Sequence, residues 1–406
     1  MSATDLPASV FRPDGSIDVR KLIDVFDEAE HARRADQYFA DRDLTQPDFF
    51  KPLGHIAHAE QMLYKLRAAL QLLEPFPSAE VLDFGTGLGW LSRVLARLGM
   101  RVYACDIAAS ALRLSEAFTL KREPELADRI SYHMLDGPKI PLPDNSIDRI
   151  FSYDALHHVP RYEPVLREMA RVLRPGGLAV FVEPSDLHSQ SQASQAEMRS
   201  FGVIENDVDI FALAEMGAAH GFIPGEVAVT LSKVPTLDFN TFRAEVARTR
   251  SGQMPDQPVI RQVFAAVDPN ISNLRVFSLR YGEAPKDSRA IPHGETGVGT
   301  IAITALRRAP EGVVAELRVT NTGPYRWIAS GTAPGSVNIG AMLRTADGSI
   351  NRNWRRMPVP VEALSPGGSA TCRLVLPDSP QTAGIAFDLV AEHICWFGAD
   401  VEQGLS

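Results

Sequence analysis

The sequence predicts a doubly wound α/β domain followed by an all-β domain. Three observations lead to this fold class: strand and helix patterns alternate from residue 80 to residue 184, a glycine-rich turn directly follows the first strand, and short strands separated by Gly, Pro and Asn fill the chain beyond residue 297. Alternating strands and helices indicate a parallel sheet with helices on both faces. Closely spaced strands without helices indicate an antiparallel β-sandwich.

Chain length and composition argue against several protein classes. With 406 residues the chain is too long for one ordinary core, so two domains are expected. The net charge of −9 argues against non-specific nucleic-acid binding, because phosphate contacts need a basic surface. No run reaches the roughly 18 apolar residues of a membrane span, and the first residues lack a secretory pattern. Three widely spaced cysteines fit a reducing compartment, so the sequence predicts a cytoplasmic protein.

Helical patterns dominate residues 17–75. The segment HIAHAEQMLYKLRAALQLL carries apolar residues at helical spacing and ends before two prolines. We therefore assign residues 1–77 to an N-terminal helical cap. Its aromatic side chains Tyr38, Phe39 and Phe50 are candidates to cover a bound ligand.

Five strand patterns follow, most of them joined by helix patterns. In chain order the elements are the strand AEVLDFG, the helix WLSRVLARLG, the strand RVYACDI, the helix ASALRLSEAFTLKRE, the strands ISYHMLDG and IDRIFSYD, the helix EPVLREMARVLRPGG and the strand LAVFVEP. Two further strands, PGEVAVTL and residues 273–282, are predicted to pair antiparallel at the end of the sheet. An insertion of about residues 236–270 separates them, and the seven strands define a domain at residues 78–283.

Residues 284–297 are rich in Pro, Gly and charge, which is typical of a linker. Residues 298–406 then form the predicted β-sandwich accessory domain. Its strand patterns are GTIAITALRR, GVVAELRVTN, SVNIGAMLRTADGS, GSATCRLVLP and GIAFDLVAEHICWF.

The turn VLDFGTGLGW places Gly85, Gly87 and Gly89 between the first strand and its helix. Glycines here let the backbone approach a ligand closely, with helix N–H groups facing it. The dinucleotide fingerprint is G-x-G-x-x-G, and the third glycine falls one position early for that motif. Asp83, two residues before the first glycine, is a further difference.

With this acid and G-x-G-x-G turn, the chain resembles the class I S-adenosylmethionine (SAM)-dependent methyltransferases over about residues 78–235. The resemblance implies a Rossmann-like domain in which Asp106 binds the ribose hydroxyls of SAM and Asp136, in the LDG segment, contacts the adenine amine. The segments PLPDNSIDRIFSYDALHHV and REMARVLRPGG also match the family. The cofactor-binding residues implied are Asp83, Phe84, Gly85, Gly87, Gly89, Asp106, Ile107, Leu135, Asp136 and Tyr153.

Adjacent histidines, His157 and His158, follow the fourth strand, and Glu183 ends the fifth. In the family's strand order these strands are neighbours, and ligands bind at the carboxyl ends of the strands. A histidine is suited to take the proton of a hydroxyl acceptor, and a carboxylate can orient its ring. These three residues are therefore the catalytic candidates. His158 is preferred to His157 as the base, although either histidine could merely shape the pocket.

Other side chains near this loop are candidates for acceptor binding. Asp154 and His188 are the predicted substrate contacts, with Glu205 and Asp207 as further contacts in the polar segment after the fifth strand. Histidines and Glu183 could also hold a metal ion. No compact metal motif is present, so no metal is assigned.

The C-terminal strands are similar to immunoglobulin-like domains attached to bacterial surface-polysaccharide enzymes. Trp354, flanked by Arg352, Arg355 and Arg356, could provide a platform for sugars or anions. These likenesses imply O-methylation of a sugar or glycan-linked acceptor in cell-surface polysaccharide biosynthesis. Methylation of a quinone or secondary metabolite, with the sandwich serving dimerisation, and a non-catalytic SAM-binding scaffold are the alternatives. The oligomeric state stays open.

Overall fold

The structure is a computed structural model that describes residues 6–76, 78–229, 236–253, 274–283, 286–292, 294–361, 363–378 and 382–405. Its residues divide into two compact units, one drawn from 1–73, 81–94 and 102–281 and the other from 74–80, 95–101 and 282–406. None of the described helices is long and apolar enough to cross a membrane.

The helices are α1 (Val19–Val25), α2 (Glu28–Ala40), α3 (Ile56–Leu73), α4 (Trp90–Arg97), α5 (Ala109–Arg122), α6 (Tyr162–Val172), α7 (Gln192–Phe201), α8 (Ile210–Ala218) and α9 (Phe239–Arg250). The strands of the first sheet are β1 (Glu80–Phe84), β2 (Arg101–Asp106), β3 (Ile130–Met134), β4 (Ile147–Tyr153), β5 (Leu173–Pro184), β6 (Phe222–Val227) and β7 (Leu274–Tyr281). The later strands are β8 (Thr300–Ala309), β9 (Gly312–Thr320), β10 (Trp327–Ile328), β11 (Val337–Thr345), β12 (Ile350–Pro358), β13 (Ala363–Leu364), β14 (Ser369–Leu376), β15 (Thr382–Ala391), β16 (Cys395–Trp396) and β17 (Val401–Gly404).

The first unit is built around a seven-stranded sheet in the order β3-β2-β1-β4-β5-β7-β6. The first five strands run parallel, and β4 is buried along its whole length, as expected for a strand covered on both faces. This arrangement confirms the predicted doubly wound α/β fold. Because β1 and β4 are adjacent, the glycine turn after β1 lies beside the loop after β4.

Strand β7 pairs antiparallel with β5 and with β6, which confirms the predicted terminal pair. The part of the predicted insertion that is described contains α9, whereas residues 254–270 lie outside the described residues. Residues 230, 231 and 273 of the two predicted strands also lie outside them.

Local side-chain caps begin several helices of the first unit. Asp18 accepts from the backbone N–H groups of Arg20 and Lys21 at α1, and Asp27 accepts from Glu30 N at α2. Such caps satisfy backbone donors that the helix itself leaves unpaired. The segment predicted as helical forms three helices, with Pro47–Phe50 in one 3-10 turn between α2 and α3.

The second unit contains all-β sheets: β14-β9-β8, β12-β11-β15-β16 with β17 beside β15, and the short pair β10-β13. One hydrophobic core includes Val313 and Leu317 of β9 together with Ile339 of β11 and Phe387 of β15. The predicted all-β composition is therefore confirmed. Within the segment predicted as a linker, the Ser288 hydroxyl donates to Gly335 O at 2.7 Å and belongs to this unit.

Candidate active site

The glycine turn adopts a backbone that requires glycine. Gly85, Gly87 and Gly89 have φ values of 71°, 52° and 72°, in the left-handed region. A Cβ atom at Gly85 would overlap that of Ala155, and one at Gly89 would overlap the hydroxyl of Ser115. Glycine therefore serves both backbone conformation and close packing here.

Asp83 is buried beneath this turn rather than exposed to a ligand. Its Oδ2 accepts hydrogen bonds from the hydroxyls of Thr86 at 2.8 Å and Ser92 at 2.6 Å. Burial raises the pKa of the Asp83 carboxyl to about 6, although the bonds from Ser92 and Thr86 oppose the shift. Asp83 therefore links the glycine turn, through Thr86, to α4, through Ser92.

This raised pKa predicts a pH-dependent stability. The folded state binds the Asp83 proton more tightly than the unfolded chain does. This proton therefore stabilises the folded state fully below pH 3.8, and the stabilisation is lost as the pH rises to about 6. The shift corresponds to about 3 kcal/mol. Urea unfolding of wild type and Asp83→Asn at several pH values should show the wild type losing about that much relative to the variant between pH 4 and pH 7. A difference that does not change with pH would contradict the prediction.

Asp106 ends β2 next to the same turn. Its Oδ2 accepts from Gly87 N at 2.8 Å and its Oδ1 from Ala108 N at 2.9 Å. The side chain is 7% exposed, and that exposed part lines a cavity. A carboxylate oxygen can accept more than one hydrogen bond, so Asp106 can still bind ligand hydroxyls.

This cavity, of about 750 Å³, extends from the glycine turn to the loop after β4. The predicted residues that line it are Phe84, Gly85, Gly87, Asp106, Ile107, Leu135, Tyr153, Asp154, His157, His158 and His188. Asp83, Gly89 and Glu183 do not line it, and Asp136 is exposed beside the lining residues Leu135 and Gly137. One cavity therefore joins the predicted cofactor residues to the predicted acceptor residues.

Tyr153 is one of the residues that line this cavity. Its hydroxyl is buried and has no hydrogen-bond partner among the described residues. Burying a hydroxyl without a partner is costly, so the position fits a ligand with a polar atom.

Helix α2 forms a roof over the glycine turn. A Cβ built at Gly87 would lie 3.7 Å from Phe39, and Asp36 accepts from the N–H and the hydroxyl of Ser110 at the start of α5. Before α1, Ile17 N donates to Gln195 Oε1 of α7, and Gln195 Nε2 donates to Ile17 O. The roof residues that line the cavity are Phe26, Asp27, Glu28, His31, Ala35, Tyr38, Phe39 and Arg42.

Two of the three aromatic candidates from the cap belong to this roof. Tyr38 lines the cavity with the guanidinium of Arg42 4.3 Å from its ring. Phe50 does not line the cavity, is 50% exposed and packs edge-on against Phe118. Phe26 and His31 also line the cavity but were not predicted, because nothing in their local pattern distinguishes a cavity wall from helix packing.

Glu183 is a fully buried carboxylate that holds the loop after β4. It accepts from the Ser152 hydroxyl, from the N–H groups of Ala155, Leu156 and His157, and lies 2.8 Å from Nδ1 of His157. Burial raises the pKa of Glu183 and lowers that of His157 well below its ordinary value. His157 is therefore neutral, and its Nδ1 proton faces Glu183, which leaves Nε2 as the acceptor.

His158 has a different environment. Its Nδ1 lies 2.6 Å from Ile204 O, an acceptor only, so Nδ1 carries the proton and Nε2 has a lone pair. His158 lines the cavity, and its side chain is 45% exposed. Glu205 Oε1 lies 3.5 Å from its Nδ1. His158 is thus the more accessible of the two imidazoles.

His188 and Glu205 complete this wall of the cavity. His188 Nε2 lies 2.8 Å from Glu205 Oε2, and the His188 ring meets the His157 ring edge-on at 4.7 Å. Burial alone would raise the pKa of Glu205, but the bond from His188 and the nearby imidazoles bring it below its ordinary value. Asp154 also lines the cavity, whereas Asp207 is held by Ser189 N and does not line it.

Comparison with known proteins gives one family match and several relatives. Residues 82–181 match the methyltransferase domain model. The chain is 32% identical to the methyltransferase GfsG of Streptomyces halstedii over 39% of its own length and 55% of that protein. It is 30% identical to the ubiquinone/menaquinone biosynthesis C-methyltransferase UbiE of Methylococcus capsulatus over 34% and 56% of the two chains. The chain thus spans about half the length of these curated relatives.

Among solved structures, a geranyl diphosphate methyltransferase in complex with SAM aligns with 56% of this chain and 88% of its own. The identity is 15% and the TM-score 0.39. The family match, the seven-stranded sheet and the glycine turn all point to a methyltransferase domain in this part of the chain. Residues 82–181 therefore form a methyltransferase domain, and SAM is the cofactor of this fold.

Proposed function

We propose that the protein is a SAM-dependent O-methyltransferase that acts on a sugar or glycan-linked hydroxyl, as in cell-surface polysaccharide biosynthesis. The observation that carries the proposal is His158, whose Nδ1 is tied to Ile204 O while its Nε2 is available in the cofactor cavity. An imidazole held in one tautomer beside the methyl donor can act as a general base.

The residues present fit the cofactor. Asp106 would accept the ribose hydroxyls, the backbone of the glycine turn would face the methionine portion, and the Tyr153 hydroxyl would gain a partner. When bound, SAM supplies a methyl group on a sulfonium; the new O–C bond forms as the C–S bond breaks and its electron pair passes to sulfur. The roof formed by α2 would exclude water from this reaction.

His158 Nε2 would take the proton of the acceptor hydroxyl as the O–C bond forms. The resulting imidazolium would be stabilised by Glu205, 3.5 Å from Nδ1. Glu183 and His157 would act beside it as positioning residues, because Glu183 fixes the backbone that carries both histidines. Positioning matters because methyl transfer is an in-line displacement.

Polar groups in the cavity wall support a polyhydroxylated acceptor. Asp154, His188 and Glu205 all line the cavity near His158 and can bond hydroxyl groups. We further propose the domain boundaries at residues 77/78, 283/284 and 297/298, with the C-terminal unit as an immunoglobulin-like sandwich that helps to bind the acceptor.

A quinone or secondary metabolite is the second candidate acceptor, with the C-terminal unit serving dimerisation. It is favoured by apolar cavity residues such as Val159, Val203 and Ile204 and by the quinone-biosynthesis name of the UbiE relative. Such an acceptor would need an apolar wall more than a row of hydrogen-bonding groups.

Two measurements test the proposal in sequence. Calorimetry should show SAM binding to the full chain, and isotope-labelled SAM should then transfer its methyl group to glycans or sugar conjugates, each product gaining the mass of one methylene. Transfer to quinols alone would favour the second candidate. Binding without transfer to any extract would indicate a scaffold, and no binding would overturn the proposal.

A further inference from the structure

We propose that His157, His188 and Glu205 bind one divalent transition-metal ion, with Zn²⁺ as the ion that best fits their chemistry. One ligand atom from each of the three residues lies within 4.8 Å of the others. Two histidines and one glutamate form a known zinc ligand set that leaves a position open for water or substrate.

The separation of the three atoms is close to that of a bound set. Zinc–nitrogen bonds of about 2.0–2.1 Å in a tetrahedron place ligand atoms about 3.3 Å apart. The three residues sit on separate segments, after β4, before α7 and before α8. The His188–Glu205 hydrogen bond of 2.8 Å already draws two of the ligands together.

The surroundings orient the ligands as in metal sites. Glu183 faces Nδ1 of His157 and leaves Nε2 to bind the ion, which is the carboxylate–histidine–metal arrangement. For His188, the Ser194 hydroxyl lies 3.2 Å from Nε2 and 3.4 Å from Nδ1, and it can accept the Nδ1 proton when Nε2 turns to the ion. Glu205 is only 8% exposed, and its Oε2 lies next to the His188 ring.

All three ligands line the proposed acceptor end of the cavity. An ion there would bind acceptor hydroxyls through its open position and make one of them more acidic, which is the Lewis-acid role of a catalytic metal. This role rests on the proposed O-methylation, whereas ion binding itself does not. His158 stays outside the ligand set and keeps its proposed role as the base.

The test uses the full chain without an affinity tag, stripped with a chelator. Titration with Co²⁺, followed by its visible d–d absorption, and calorimetry with Zn²⁺ should each show one ion per chain. His188→Ala and Glu205→Gln should weaken Zn²⁺ binding at least about 100-fold, since loss of a second-shell partner alone costs about 10- to 100-fold. Glu183→Gln should fall in that smaller range, because it disturbs only the orientation of His157.

The double variant His55→Ala/His58→Ala is the matched control. These exposed histidines have ring centroids 5.2 Å apart and could bind an ion on the surface. Retained binding in this control and lost binding in His188→Ala support the proposed site. Binding that disappears only in the control, or no one-to-one binding at all, overturns it. SAM titration of the same samples tests the proposed function separately.

Discussion

His158→Ala is expected to lower methyl transfer by about 10²- to 10⁴-fold, the usual contribution of a general acid or base. The affinity for SAM should stay the same, because the cofactor contacts proposed above come from Asp106 and the glycine turn. Single-turnover rates with labelled SAM measure the first quantity and calorimetry the second. His158→Gln should be equally inactive, since an amide cannot take the proton.

His133→Ala is the matched control for this prediction. His133 lies on β3, bonds only to Ser131 among the described residues and does not line the cavity. Near-full turnover in His158→Ala would contradict the proposed base. If His158→Ala keeps turnover and His157→Ala loses it without losing Zn²⁺ binding, His157 is the base instead.

Glu183→Ala is expected to destabilise the methyltransferase domain by at least about 3 kcal/mol, because each buried donor left without a partner costs about 1–3 kcal/mol. The change removes the acceptor for Ser152, for three backbone N–H groups and for His157. Chemical denaturation followed by tryptophan fluorescence measures the loss, since Trp90 is buried in the same unit.

Glu183→Gln separates the structural role from the orienting role. The amide keeps one acceptor oxygen and the side-chain volume, so stability should fall much less than in the alanine variant. Glu163→Ala, which removes a half-exposed carboxylate paired with His220, provides the surface control. Equal stability of Glu183→Ala and wild type would show that the loop is held by other contacts.

The sheet and the glycine turn could be predicted because their information is local. Buried strands such as VLDF and FSY are short apolar runs, and the left-handed positions after β1 carry glycine. The convergence of His157 and Glu183 followed from one further rule, that neighbouring strand ends meet. These features need no knowledge of distant contacts.

The remaining features depend on distant residues. The tautomer of His158 is set by Ile204 O, which is 46 positions away. The roof is held by the hydrogen bond from Ser110 N to Asp36, which is 74 positions away. The segment that forms β12 was predicted only as a sugar or anion platform, because its sequence INRNWRRMP lacks the alternation of apolar and polar residues typical of a strand. Its Arg356 instead lies over the ring of Trp396, at 4.3 Å, in an arrangement that residue spacing does not reveal.

The roof has a consequence for the order of events during synthesis. Residues 17–40 emerge from the ribosome before the segments they bind, Ser110 and Gln195, the latter 178 positions from Ile17. Contacts across such separations form late, because the intervening chain must first be ordered. During translation, residues 17–40 therefore lack these contacts until Ser110 and Gln195 have been made. The cavity is closed only after the chain through Gln195 has been made.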